Sequence, residues 1–326
     1  MTTKPAAAII SQPSGQASAA RHPRAHRLMV VLAFLSIYLI WGSTYLAIRY
    51  AVATIPPLYT AGVRHVIAGT ILLLWCAWKR KRPTMAQLRA SIVIGVFFFL
   101  IGHGMLHWAE TVVPSGLAAL LIAIEPIFVF ALTEAADRRW RMNLPLVAGV
   151  ILGLGGVALL FGKGVLTSAP GMAVGAVAIL IGALSWSVGI VYSRKSHLSG
   201  HPLLLSALSL LAGGVMLLIA GTIGGEAHDF TPASVTGQSW AALAYLIVFG
   251  SLVTFTAYNW LMEHYSPTLV STHTYVNPIV AVLLGWLLAG EPLTLNVGIA
   301  AAMVIGAVML VDHGMKQLAP GDEMLP

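Results

Sequence analysis

The sequence predicts an all-α membrane protein of ten transmembrane helices, built as two inverted five-helix repeats. Three observations predict it. Of 326 residues, 58% are hydrophobic and only 9% charged, and the mean hydropathy is +0.86, which places most of the chain in lipid. Ten near-continuous apolar runs each have about the 17 to 25 residues that a helix needs to cross the hydrocarbon. The runs also fall into two sets of five with matching landmarks, and an odd number of crossings per half reverses the second half relative to the first.

In chain order the runs cover residues 28 to 48, 58 to 78, 91 to 109, 114 to 133 and 143 to 162, then 171 to 193, 203 to 223, 239 to 260, 267 to 288 and 294 to 311. They are apolar all round and lack the ten-residue alternation of an outer-membrane barrel. The expected organisation is a disordered tail at 1–27, a first repeat at 28–162, a second repeat at 171–311 and a C-terminal tail at 312–326. Residues 1–27 are rich in Ala, Ser and Pro and contain no acid. Pro5, Pro13 and Pro23 break any amphipathic transit helix there, and the run that follows is too long for a signal-peptide core. Cys76 is the only cysteine, so no internal disulfide forms. Short loops leave no room for a soluble catalytic domain; the longest, 224 to 238, carries Glu226, Asp229 and Pro232.

Charge sets the orientation. With residue 1 in the cytoplasm, 15 of the 18 Lys and Arg fall on the inner side, in four clusters around Arg24, Arg80, Arg138 and Arg194 and at Lys316. Arg49 and Lys163 lie outside and Arg64 lies within the second run, so both termini are expected in the cytoplasm. The net charge of +7 is therefore a topology signal dispersed over short loops, not a nucleic-acid patch. Trp75, Trp78, Trp108, Trp240 and Trp260 near run ends fit an interfacial belt. Trp41 and Trp186 do not, because each sits about 10 Å inside its run at 1.5 Å per residue.

The fourth and ninth runs repeat a second landmark. Val113-Pro114-Ser115 and Ser266-Pro267-Thr268 open them, and Glu125-Pro126 and Asn277-Pro278 stand near their middles. Proline removes an amide, so the carbonyls of Ile122 and Thr274 lose their helical donors. Pro126 and Pro278 are the expected helix breaks, and freed carbonyls at that depth face protein or a wet cavity.

Taken together, Leu39-Ile40-Trp41-Gly42-Ser43-Thr44-Tyr45, Arg64 with Ala68-Gly69, Pro114-Ser115-Gly116-Leu117-Ala118, Asn277-Pro278 and Gly290-Glu291-Pro292-Leu293-Thr294 resemble the EamA family of the drug/metabolite transporter superfamily, over about residues 30 to 311. The resemblance implies a bacterial inner-membrane carrier, usually an exporter of amino acids, metabolites or toxic compounds. It implies a central cavity lined by helices one, three, four, six, eight and nine, with five and ten outside. Gly149-x3-Gly153 and Gly298-x3-Ala302-x3-Gly306 suit close helix contact, within one chain or between two, and leave the oligomeric state open.

The expected substrate pathway comprises Trp41, Ser43, Thr44, Arg64, His103, Glu125, Trp186, Tyr258, His273 and Asn277. Arg64, roughly 9 Å below its helix end, matches the family's second-helix Arg; it either attracts an anionic group or snorkels outward and holds the fold. Glu125 is the only acid at mid-span. The family more often has a neutral residue there, so Glu125 is this chain's own candidate for proton coupling; the competing reading makes it a partner for Arg64. Ser43 and Thr44 either meet substrate or bond back to their own helix. The two Trp side chains suit the walls of a site for an apolar or aromatic solute.

His103, His107 and Glu110 share one face of the third helix, a spacing also used by metal ligands, but no second cluster completes a set. The competing function is a membrane-embedded metal-dependent enzyme that uses that face. No nucleophile pairing or phosphate loop supports it: Gly153-x-Gly155-Gly156 lies in an apolar run with no strand before it. No cofactor or metal is expected. The expected partners are the bilayer, a small-molecule substrate and protons.

Overall fold

The computed structural model describes residues 23–138, 140–162, 169–196, 201–265 and 267–318. They form ten crossings. α1 runs from 23 to 51, α2 is Pro57–Trp78, α3 Met85–Ala109, α4 Ser115–Asp137 and α5 Leu144–Gly162. The second repeat holds α6 Met172–Lys195, α7 Pro202–Ile223, α8 Gly237–His264, α9 from 267 to 289 and α10 Leu295–Leu318. Among the described residues nine helices are long and apolar enough to cross a membrane; the continuous part of α9, His273–Ala289, is shorter because that helix is interrupted.

Three element boundaries differ from the expected ones by about five residues or more. α1 starts at Pro23, inside the segment read as tail, because Pro at a first helical position leaves no amide orphaned and the helix gains an edge contact between His26 and Trp260 at 6.2 Å. α3 starts at Met85, six residues before its apolar run, where Thr84 and Gln87 form a reciprocal capping box. α10 runs on to Leu318 because its last turns bind the start of α5: Asn143 donates to the Gly314 carbonyl at 2.9 Å and Arg141 to that of Leu318 at 3.0 Å. Residues 1–22 and 319–326 of the expected tails, with Arg139 and Lys163, lie outside the described residues.

Helix packing repeats across the two halves. α2 pairs with α7, α5 with α10, and α4 with α9. α1 packs on α8 and α9 as α6 packs on α3 and α4, and α3 meets α7 as α8 meets α2. Exchanging the repeats returns these pairs, whereas the contact of α1 with α4 has no comparable counterpart between α6 and α9. Small residues permit the closest pairs. A Cβ on Gly69 would stand 2.7 Å from the Leu211 amide, and one on Gly149 2.9 Å from the Ala307 carbonyl oxygen. The α5 stripe thus serves contact inside the chain, whereas a Cβ on Gly298 of α10 meets nothing within 4 Å.

The face carrying the start of α1 holds the basic loops; the far face is latched by carboxylates from the second repeat. Glu226 accepts from the amides of Leu58 and Tyr59 at 3.0 and 2.9 Å and caps α2. Glu291 accepts from the Ser115 amide, the Ser115 hydroxyl and the Gly116 amide at 2.7, 2.8 and 2.9 Å and caps α4. Anions suit these positive helix ends. Arg49 Nε lies 3.5 Å from Glu291, while its Nη1 donates to the carbonyls of Glu110 and Val113. Glu110, one residue past α3, is buried, and among the described residues neither carboxylate oxygen has a hydrogen-bond partner. Burial first, and then the Glu291 carboxylate, push its pKa well above the usual carboxylate range.

Gly149→Leu is expected to destabilise the folded protein by about 1–3 kcal/mol through overpacking, while Gly298→Leu leaves it unchanged; thermal melts in one detergent compare the two. The folded chain holds the Glu110 proton to higher pH than an unfolded chain, whose Glu titrates near 4.3. Stability from this site is therefore complete below that value and declines as the pH rises through and beyond it. Glu110→Gln should flatten the decline, read as melting temperature against pH.

Candidate functional site

Three helices contain π-helical stretches, which open the backbone ladder and occur at functional sites: Ser36–Ile40 in α1, Gly95–His103 in α3 and Leu246–Val253 in α8. In each, carbonyls accept from side chains of other helices. With its amide turned so that both ends are satisfied, Asn277 donates to Ile37 and Tyr38 of α1 at 3.0 Å each and to His273 at 3.2 Å. Ser185 of α6 donates to Phe97 of α3 at 2.8 Å. Trp41 Nε1 and Arg64 Nη2 converge on Gly250 of α8 at 3.2 and 3.4 Å.

Arg64 is buried, and its Nε also donates to Ser251 at 2.9 Å, while Nη1 has no hydrogen-bond partner among the described residues. Its hydrogen bonds go to α8, and Glu125 is not among them. Trp41 packs on Phe255, Tyr258 and His273, with ring centroids 5.7, 5.3 and 5.1 Å away. Trp186 stacks on Phe98 at 4.2 Å and on His103 at 5.1 Å. The two Trp side chains thus build separate aromatic groups, each containing one of the two predicted histidines.

Both interruptions exist, but only one coincides with its proline. α4 breaks at Ala123 and Ile124, and its second part, Glu125–Asp137, begins with Glu125 and Pro126. The Glu125 carboxylate is half-buried and makes no hydrogen bond or ion pair among the described residues; its carbonyl accepts weakly from Ser187 at 3.4 Å. In α9 the break lies at Ser271 and Thr272, and Pro278 sits inside the continuous helix His273–Ala289. The expected break at Pro278 is therefore misplaced. Its cause is upstream: Thr272, His273 and Thr274 each bond back to the carbonyl three residues earlier, which tightens the turn there.

Thr44 likewise bonds back, to the Trp41 carbonyl at 2.6 Å, and Ser43 to that of Ile40 at 2.8 Å while sharing a hydrogen bond with the Tyr245 hydroxyl at 2.7 Å. The helix-three face does not gather round one point. His103 Nδ1 lies 2.7 Å from Nε2 of the buried His65, and His107 Nδ1 donates to the His103 carbonyl at 2.8 Å. Among the described residues no group of three or more His, Cys, Asp and Glu is placed to hold a metal ion.

Residues 28–162 and 173–311 match the EamA-like transporter family. The chain belongs to that family. This EamA-like chain is 39% identical over 290 residues to the uncharacterized inner membrane transporter YedA of Escherichia coli strain K12, covering 88% of this chain and 92% of YedA. The uncharacterized transporter YoaV of Bacillus subtilis strain 168 is 27% identical over 288 residues, 86% and 96% of the two chains. Protein PecM of Dickeya dadantii is 28% identical over 276 residues, 83% and 86%. A solved protein structure superposes with a TM-score of 0.60 at 21% identity, over 90% of this chain and 99% of its own, which shows a shared fold. The EamA-like chain is a membrane transporter.

Sequence reasoning did not single out His65, Ser185, Tyr245, Gly250 or Ser251. Their only signal is a polar or small residue in an apolar helix, and it takes the register shift of the π stretches to bring several of them into place. Asn277→Ala should cost about 1–3 kcal/mol, the penalty for leaving buried carbonyls without donors, measured as loss of thermal stability in detergent.

Proposed function

We propose that this protein is a secondary carrier, not an enzyme, that exports small metabolites, amino acids or toxic compounds across the bacterial inner membrane by alternating access, with both termini in the cytoplasm. The observation that supports this reading is the contact between α4 and α9, the two interrupted helices of opposite repeats, with a carboxylate unpaired at one interruption. Interrupted helices at a repeat interface supply polar groups where a solute crosses. The distribution of Lys and Arg supports the orientation.

In this reading Trp41, Tyr258 and His273 wall the path on one side and Trp186 and His103 on the other. Arg64 offers Nη1 to an anionic group and Glu125 receives a cationic one, so a solute carrying both charges, such as an amino acid, suits the pair. Ser43, Thr44 and Asn277 hold the wall in shape through the bonds described above. Glu125 takes up and releases a proton as the halves rock, which couples export to the proton gradient.

Cells overproducing the chain should resist at least one toxic amino-acid analogue or cation. With that solute, proton-driven movement into metal-free inverted vesicles should occur without chemical change, and Glu125→Gln should lower it at least tenfold while leaving membrane abundance unaltered. Equal proton-driven transport by Glu125→Gln would remove the coupling role; protection against no solute would count against export of these classes.

A further inference from the structure

Five described residues have positive φ, and their identities divide by face. On the far face they are Gly171, Gly225 and Gly290, the residue type that adopts this backbone without strain. On the basic face they are Arg80 and Arg138, at φ 56° and 54°. Arg80 closes α2 in a Schellman turn, in which its amide donates to Ala77 at 2.8 Å and that of Lys81 to Cys76 at 2.9 Å. Glycine is the usual occupant of such a position, and a side chain with a Cβ is strained there. A guanidinium therefore stands at this corner against the backbone's preference.

The corner borders an open surface groove of about 670 Å³ between the α2–α3 turn and the start of α7, lined by Arg80, Lys81, Arg82, Thr84, Gln87 and His201. None of its three cations is in an ion pair among the described residues. Lys79, the neighbouring cation outside the groove, is engaged: its Nζ sits 4.3 Å from the Trp78 ring and 5.2 Å from that of Trp75. His201 adds a buried Nδ1 with no partner among the described residues, and α7, a helix of 22 residues, presents its positive end beside it. Thr84 and Gln87 satisfy each other in the capping box, which makes that wall rigid. Trp75 and Trp78, both exposed on α2, mark the level of lipid headgroups.

We propose that this groove binds the phosphate of an anionic phospholipid headgroup. Three unpaired cations and an imidazole in a concave site between helix ends match a phosphodiester, and the flanking tryptophans place it where lipid phosphates lie. This site is separate from the transport path and stands whether or not the transport reading holds.

Native mass spectrometry of the full chain released from nanodiscs with equal phosphatidylglycerol and phosphatidylethanolamine tests the assignment. Wild type should retain phosphatidylglycerol preferentially. Arg80→Gly and Arg82→Gln should each weaken that retention about fivefold, the effect of one cation near an anionic surface. Arg138→Gly, which relieves the same strain away from the groove, should retain lipid like wild type. Arg80→Gly should melt no lower than wild type, which separates lost binding from lost folding; should it melt lower, Arg82→Gln decides alone. Equal retention by wild type, Arg80→Gly and Arg82→Gln would overturn the proposal. Displacement of phosphatidylglycerol by millimolar inorganic phosphate, with equal protection by phosphate in phosphatidylethanolamine alone, would assign the site to free phosphate and overturn the lipid assignment.

Discussion

A backbone carbonyl that leaves its helical partner inside hydrocarbon has no water to turn to, so the π stretches of this protein take donors from other helices. Asn277 supplies Ile37 and Tyr38, Ser185 supplies Phe97, and Arg64 with Trp41 supplies Gly250. Each donor comes from a helix other than the one it supports. The irregular turns are therefore cross-links, and the residues that line the interior are the ones holding the helices in register. All of these bonds join one repeat to the other, so they hold the two halves in a single relative position.

The repeats share most neighbours but not their chemistry. α1 carries a π stretch where α6 is regular throughout, and α4 breaks at an acid whereas α9 breaks at a run of hydroxyl and imidazole side chains. Trp41 contacts a cluster rich in hydroxyl and imidazole groups, while Trp186 is stacked between Phe98 and His103.

How much of this was legible in the sequence follows from the range of each interaction. Hydrophobic length and charge are local, and they located the membrane crossings. Pro126 marked its break because the interruption is caused by that proline's own missing amide. Pro278 did not, since three side chains upstream bond back to carbonyls and move the interruption to Ser271 and Thr272. His65 and Ser251 were invisible for a different reason: their roles depend on partners 38 and 187 residues away. Whether Arg64 pairs with Glu125 was open in the sequence for the same reason; the hydrogen bonds of Arg64 go to Ser251 and Gly250 of α8, 187 and 186 residues away.

The carboxylate caps on the far face have a consequence for biogenesis. Both Glu226 and Glu291 belong to the second repeat, yet the helix ends they cap, those of α2 and α4, belong to the first. As the chain emerges and inserts in order, α2 waits for the loop after α7, and α4 waits until α9 has crossed. The first five helices can thread the bilayer early, but their far ends keep open amides until the second half arrives. Maturation of this fold therefore finishes late, and the second repeat acts as the template that closes the first.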